Sequence, residues 1–455
     1  MIRVPAGTTM TTRLLGELIA KHKKEVSDRY EKLKKAYEND YEIFHQDKKP
    51  KHKPDNRIAV NFAKYIVDTM NGFFIGNPIK VTHEDREVAE YLEYLDQYND
   101  QDDNNAELSK ICDIYGNGYE MYFVDESGQI GITYTSPMES FMVCDESILE
   151  RPVFFIRYYK DSENIEQGSW SDVNVVQHFI NEGSYKWTDE PKTHAFDGVP
   201  ASEFVENAER LGIFESALPM INAFNKAISE KANDVDYFAD AYLKVLGSKL
   251  DKEDLDYLRD NRIINLEGDI EKIIVEFLEK PNSDETQEHL IDRLERLIFQ
   301  LSMVANLSDE NFGTSSGIAL KYKLQGMSNL AKTKERKFIS GMNRRYRIIF
   351  SNPLSDVQKD DWLGIQYTFT PNFPANVLEE TQIAQNIDGV VSQETQLSVL
   401  SIVDNAREEI DKIEKEREKQ RETAVDHRLN ERLNDGQQNI LEPERSATAS
   451  EEHRG

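Results

Sequence analysis

The sequence predicts an α+β protein that is mainly helical. Three observations carry that prediction. Apolar residues recur at helical spacing over most of the chain, and the stretch from Leu108 to Tyr159 switches to the alternation of strands. No apolar run approaches the roughly 18 residues of a membrane span, which points away from a membrane partner. At 455 residues, 38% hydrophobic and 31% charged, with mean hydropathy −0.65, the chain has room for two or three domains of soluble composition. The opening Met1-Ile-Arg-Val-Pro5 lacks the apolar core of a signal peptide, which argues against export. The lone cysteines Cys112 and Cys144 read as small buried hydrophobes in a reducing compartment. Acids number 84 and bases 55, a net charge of −29, which excludes a protein that grips DNA over its whole surface. Such a surface is either simply soluble or one along which DNA slides without sticking.

Taken in order, Leu14, Leu15, Leu18 and Ile19 recur at helical spacing before a charged run from Lys21 to Lys35, so residues 10–47 read as helical. Asp47-Lys-Lys-Pro-Lys-His-Lys-Pro54 breaks that helix as an exposed basic loop, with a nucleic-acid or lipid contact as the minor reading. Ile58, Phe62, Tyr65, Ile66, Thr69 and Phe73 form an apolar helical stripe stopped by Gly76-Asn-Pro78. Between Glu84 and Glu107 ten acids accompany Arg86 alone, a local charge of −9, with Val88, Leu92 and Leu95 spaced as a helix. That is a solvated acidic face, and Asp100-Gln-Asp-Asp-Asn-Asn105 lacks the glycine and terminal glutamate of an EF-hand.

Tyr115 to Gly128 reads as a strand entering a turn, Ile130 to Thr135 as its partner, and Ser136–Ser140 with Phe154–Tyr159 as the same sheet continued. Residues 160–215 read as further strands and loops. From Ser216 to about Leu246 the chain is helical again, with Ile221, Ile228, Val235 and Tyr242 on a seven-residue spacing flanked by Phe224 and Phe238. At roughly 46 Å this rod suits either one helix of a ring-lining stem or one member of an ordinary bundle. Lys249 to Pro281 is a small mixed unit: a short helix at Leu250, Leu255 and Leu258, then strands Ile263–Leu266 and Ile273–Leu278 across Glu267-Gly-Asp269. Asp251 to Glu288 holds 13 acids and 5 bases, a local −8.

The stretch from Ser283 to Phe350 organises the rest. Leu290, Leu294, Leu297, Ile298 and Leu301 place one helical face in residues 286–304, with Asp284 and Glu285 at its positive start. Asn306 to Gly317 is a polar loop in which two glycines and four hydroxyl residues preclude a continuing helix. Ile318 to Phe350 then carries nine cations against Glu335, a local charge of +8. Farther on, Gly364 to Thr370 alternates as a strand ended by Pro371 and Pro374. Leu378 to Arg421 is helical in two pieces broken near Gly389, with a stripe at Ile402, Ala406, Ile410 and Ile413. From Asp426 the chain is too polar and charged to form a core.

Catalytic patterns are absent from the sequence. Gly313-Thr-Ser-Ser-Gly317 matches a nucleophile-elbow expression, but a helix and the polar Asn306–Asn311 precede it instead of a buried strand. His427 and His453 lie in the sparse tail, no phosphate loop occurs, and the nine histidines never pair at metal-ligand spacing. No catalytic residue, metal or cofactor is therefore expected.

Asn311-Phe-Gly-Thr-Ser-Ser-Gly-Ile-Ala-Leu-Lys321 resembles a signature of the portal proteins of tailed double-stranded DNA phages, closest to the siphophage type of Gram-positive hosts. The likeness continues in Asn56-Arg57 with the following Gly76-Asn-Pro78, in Tyr115-Gly-Asn-Gly-Tyr119, and in Ser136-Pro-Met-Glu139. It implies a portal fold with wing, stem, clip and crown, assembling as a ring. Residues 1–50 would be an N-terminal helical arm, 51–215 the wing, 216–246 a stem helix, 247–283 the clip and 284–304 a second stem helix. Residues 305–317 would be the tunnel loop, 318–378 a long wing helix and strand, 379–425 crown helices and 426–455 a disordered tail.

The resemblance further implies a non-enzymatic ring, twelve subunits in all, at a unique capsid vertex, assembled in the bacterial host cytoplasm and carried in the virion. It would pass double-stranded DNA without sequence specificity during packaging and ejection, while the terminase hydrolyses ATP. Partners would be the terminase large subunit, a head-tail connector, and the major capsid and scaffolding proteins. Asn306, Ser308, Asn311, Phe312, Gly313, Thr314, Ser315, Ser316 and Gly317 would form the tunnel loop. Asp251, Glu253, Asp254, Glu267, Asp269 and Glu271 would mark the clip where terminase and connector dock. Lys321, Lys323, Lys332, Lys334, Arg336, Lys337, Arg344, Arg345 and Arg347 would form a subunit interface or a DNA-facing basic helix. A second reading, on residues alone, is a helical adaptor of small oligomeric state, supported by the Ile221–Tyr242 spacing and the charged helix at 404–422.

Overall fold

The N-terminal segment is the edge on which the larger sheet begins. The computed structural model describes residues 2–50, 53–239, 243–246, 274–277, 284–308, 320, 322–372, 377–400, 402–403, 406–407 and 409–421. Strand β1 (Ile2–Val4) runs parallel to β5 (Ser140–Asp145), and β6 (Pro152–Lys160), β7 (Glu166–Ser171) and β8 (Val175–Asn181) follow antiparallel. Short strands β9 (Tyr185–Trp187) and β10 (Lys192–Thr193) both pair with β8. The sequence shows no strand at residues 2–4, because three residues carry too little alternation to stand out.

Helix α1 (Thr12–Glu25), capped by the Thr11 hydroxyl on the Leu14 amide, lies on this sheet. Leu15, Leu18 and Ile19 pack with Phe141, Val143, Phe154, Ile156, Trp170 and Phe179 into one core. A π-turn at Val26–Tyr30 rotates the buried face before the helix resumes as α2 (Glu31–Tyr37), so Leu33 and Ala36 serve a different core from Leu15.

A second, three-stranded sheet holds the predicted hairpin, β3 (Asn117–Val124) with β4 (Ile130–Thr135), plus β11 (Ala201–Val205) on its other side. The hairpin is thus not continuous with Phe154–Tyr159, which belongs to the larger sheet. The helical spacing at Val88, Leu92 and Leu95 belongs to α4 (Arg86–Tyr98); after a break a second helix, α5 (Gln101–Tyr115), runs on past Leu108, where the alternation of strands was expected to begin. The break has a local cause. Asn99 donates to Leu95 O and Ile130 O and accepts from the Ile132 amide, and Asp100 takes φ 47°. At the far end of α5, Gly116 adopts φ 88° and its Cα sits so close to Arg210 O that a Cβ would fall 2.0 Å from it.

Helix α3 (Phe62–Ile75) starts at the Asn61 cap and buries Phe62, Ile66, Val67, Met70 and Phe74. Helix α6 (Leu218–Ala239) is shorter than the rod expected over 216–246, because Leu243–Leu246 forms strand β12. Its partner is β13 (Ile274–Phe277), with Val245 opposite Val275; the short helix expected at Leu250, Leu255 and Leu258 and the strand expected at Ile263–Leu266 lie outside the described residues. Helix α7 (Asp284–Ser302) runs antiparallel to α6, and Lys231 pairs with Glu288 between them. Its buried line is Ile291, Leu294 and Ile298, while Leu290 and Leu301 from the predicted stripe are exposed. On α6 the seven-residue spacing also departs from the packing: Ile221 is buried but Val235 is exposed.

Helix α8 (Gln325–Ile349) crosses the small sheet at Phe204, where Gly341 admits the ring; a Cβ there would be 2.4 Å from Phe204 Cδ1. Strands β2 (Lys80–Thr82) and β14 (Gln366–Thr368) pair antiparallel. These elements form one compact unit, Met1–Asn372. A second unit from Phe373 contains α9 (Val377–Asn386), Gly389 at φ 73°, α10 (Gln393–Leu397) and further helix at 409–421. Among the described residues no helix is long and apolar enough to cross a membrane.

Candidate channel and interface elements

Helix α8 divides its cations between two faces. Lys334 and Arg345 are turned inward and fully buried, which departs from the expectation of an interface or DNA-facing role for these two. The Lys334 ammonium lies 2.5 Å from Asp113 Oδ1, 3.3 Å from Glu206 Oε2 and 3.4 Å from Ser109 O, with the Phe74 ring centroid at 5.0 Å. An unpaired ammonium there would cost several kcal/mol, so the residue is tolerated only because α5 and the end of β11 supply the acids. Burial would lower the Lys334 pKa, but Asp113 and Glu206 outweigh it and hold the ammonium above its usual value. Burial pushes Asp113 well above the carboxylate range, with Lys334 opposing. Two carboxylates against one ammonium are neutral when they hold one proton between them.

Arg345 makes the second clamp. Its guanidinium meets Glu120 in a fork, Nε to Oε2 at 2.8 Å and Nη2 to Oε1 at 2.5 Å, and Nη2 also donates to Asn105 Oδ1 at 2.6 Å. The Tyr122 hydroxyl donates to Glu120 Oε2 at 3.1 Å. Burial raises the nearby Asp96 carboxyl to about 6, with the Arg345 charge working against the shift.

The outward cations are Lys323, Lys332, Arg336 and Arg347, with Lys337 and Arg344 half-buried. Lys321 and the loop residues Asn311, Phe312, Gly313, Thr314, Ser315, Ser316 and Gly317 lie outside the described residues, as do Asp251, Glu253, Asp254, Glu267, Asp269 and Glu271. At the start of the loop, Asn306 donates to Glu295 Oε1 at 3.1 Å and accepts from the Ser308 amide at 3.1 Å. The Tyr65 hydroxyl accepts from the Leu307 amide at 2.8 Å. Asn306 therefore fixes the turn that leaves α7, and Ser308 is the exposed one of the two.

Three contacts were not anticipated from the sequence. Asn225, Ser229 and Asn233, one turn apart on the buried side of α6, accept from the amides of Val60, Ile58 and Asn56 at 2.9, 2.8 and 2.6 Å. Four helical residues rise about 6 Å and two extended residues about 6.8 Å, so the two periods stay in step for this length. The polar i, i+4, i+8 series was readable on α6, but its partner strand was not. Arg29, in the π-turn, donates to Glu215 at 2.8 and 2.6 Å, to Arg210 O at 2.6 Å and to Tyr115 O at 3.2 Å, tying the end of α5 to the turn before α6. His22 is buried, stacked on Phe141 at 4.3 Å with Nδ1 3.0 Å from the Tyr158 hydroxyl, and burial lowers its pKa to about 4.

The described residues thus make a sheet-and-helix body locked by buried ion pairs, carrying an antiparallel helix pair and a basic outer helix face, the make-up of a structural protein. The chain belongs to the phage portal proteins described as SPP1 Gp6-like, whose profile matches residues 16–423. It is 23% identical over 407 residues to a portal protein of Clostridium phage phiCD119, covering 77% of this chain and 82% of the relative. Identity is also 23% over 395 residues to the portal protein of Bacillus phage SPP1, covering 80% and 76%. Solved chains from the neck and virion of a gene transfer agent particle share 14% identity at TM-scores of 0.43 and 0.42, covering 74% of this chain and 89% of theirs. The protein is a virion portal component and not an enzyme.

Proposed function

We propose that the chain forms a closed ring of twelve copies whose channel passes double-stranded DNA in both directions, packaging and ejection. The observation that carries this reading is the family match, which spans 16–423, from within α1 to beyond the helix at 409–421. The loop from Asn306 to Gly317 faces the channel in this reading. There Asn311, Thr314, Ser315 and Ser316 offer exchangeable, uncharged hydrogen bonds to sliding phosphates, weaker than the charge-assisted bonds of Lys or Arg. With Lys334 and Arg345 committed to the core, the basic contact surface reduces to Lys321, Lys323, Lys332, Arg336, Lys337, Arg344 and Arg347. The acidic 251–271 segment is the docking end for the terminase large subunit and the head-tail connector, while capsid and scaffolding proteins meet the outer body.

Light scattering with negative-stain imaging of the same peak tests the reading. A mass of many protomers with a central hole is expected; a stable monomer or dimer at high concentration would favour the small adaptor instead.

A further inference from the structure

The outer face of α8 poses a question that the ring reading leaves open. Lys332, Arg336 and Arg347 are exposed, and with half-buried Lys337 and Arg344 they form a cationic band. Among the described residues none of the five makes an ion pair within its own chain, whereas the inward Lys334 and Arg345 are both paired. Five cations without an ion pair are unexpected on a chain of net charge −29; Asp197, held below the usual carboxylate range by Lys359 and more weakly by Arg347, takes Lys359 as its ion-pair partner. From Lys332 to Arg347 the band is about 22 Å long.

An acidic face of similar size lies on α4 and the start of α5. Glu84, Glu87, Glu90, Glu93, Asp102 and Asp103 are exposed, with Arg86, paired to Glu90, as the cation among them. Helix α4 spans 13 residues, about 20 Å. Both faces sit on helices anchored in the same core, α8 by its two clamps and α4 by Val88, Leu92 and Leu95, so each presents its charges from a rigid base.

We propose that the cationic band of α8 docks on the acidic α4 face of a second copy of this chain. The contact is heterologous: two different surfaces meet, which repeats around a ring and leaves no unmatched surface once the ring closes. DNA is the other occupant the charges allow. The acidic face decides against it, because phosphate would match the band and leave Glu84, Glu87, Glu93, Asp102 and Asp103 without a cation on every copy. The inference rests on the ring reading and names the pair of surfaces that holds neighbours together. Charges of this kind set register and assembly rate and are screened by salt.

The test is a charge swap on the full chain. Lys332→Glu, Arg336→Glu and Arg347→Glu together should raise the concentration for half-assembly at least about tenfold. Glu87→Lys, Glu90→Lys and Glu93→Lys should do the same, and one chain carrying all six changes should recover the wild-type ring mass. The positions are exposed, so unchanged circular dichroism and Tm in each variant separate assembly from folding. Rings that survive either reversal, or a six-fold variant that stays unassembled, overturn this pairing while leaving the ring itself standing. A wild-type chain that never forms rings overturns both. Rings of the Lys332→Glu, Arg336→Glu, Arg347→Glu variant that keep the wild-type mass and lose DNA retention would overturn the pairing and assign the band to DNA.

Discussion

Lys334 and Arg345 leave helix α8 on the same side, eleven residues and three turns apart, and each ends on a buried carboxylate, Asp113 and Glu120. The acids come from α5 and β3, more than two hundred residues earlier in the chain. The long helix is thereby fixed at two points, to α5 through Lys334 and to strand β3 through Arg345.

Breaking the first clamp should be costly. Lys334→Ala leaves Asp113 and Glu206 buried without their cation and should lower the unfolding free energy by about 3–5 kcal/mol. Replacing the trio together, Lys334→Met with Asp113→Leu and Glu206→Gln, should recover most of that loss, because no charge is then left at that site. Urea denaturation of the three proteins checks both statements.

His22 makes stability depend on pH on the acid side. Its folded pKa of about 4 lies below the usual 6.5, so the unfolded chain binds the extra proton between those values. The contribution is therefore complete above pH 6.5 and is lost as the pH falls toward 4, up to about 3 kcal/mol. Asp96, raised to about 6, acts in the opposite sense: its contribution is present below its unfolded value and is lost as the pH rises through 6. His22→Gln keeps a partner for Tyr158 and should flatten the loss between pH 6.5 and 4. Denaturation midpoints at pH 4.5 and 7, compared with wild type, read the change.

Ser229 holds the Ile58 amide at 2.8 Å in the middle of the ladder between α6 and the extended segment. Ser229→Ala strips that amide of its acceptor and should cost about 1–3 kcal/mol. Hydrogen exchange over 54–61 should quicken, while exchange in the large sheet stays as in wild type. Equal quickening in both regions would place the effect on global stability and remove the ladder's local role.

Much of the architecture was legible because it is local. The helices at 12–37, 62–75 and 284–302 and the hairpin at 117–135 each follow from a period of 3.6 or 2 that packing did not need to supply, while the helix at 325–349 was implied by the family resemblance. The stop at Gly76-Asn-Pro78 and the break at Gly389 follow from backbone chemistry alone. The family signature was likewise written in order along the chain, and the match over 16–423 agrees with it.

What the sequence by itself determined, then, is where most of the long helices and the β3–β4 hairpin lie and to which family the chain belongs. Only the tertiary structure decided what each charge is for. A run of nine cations looks uniform when read along the chain, yet two of them are core residues because Asp113, Glu206 and Glu120 arrive from remote segments. The same holds for Leu243–Leu246, which ended the predicted rod because a distant strand offered it a partner. Periodicity depends on neighbours in sequence; burial and pairing depend on neighbours in space, and a charge or a short apolar run takes its role from the second.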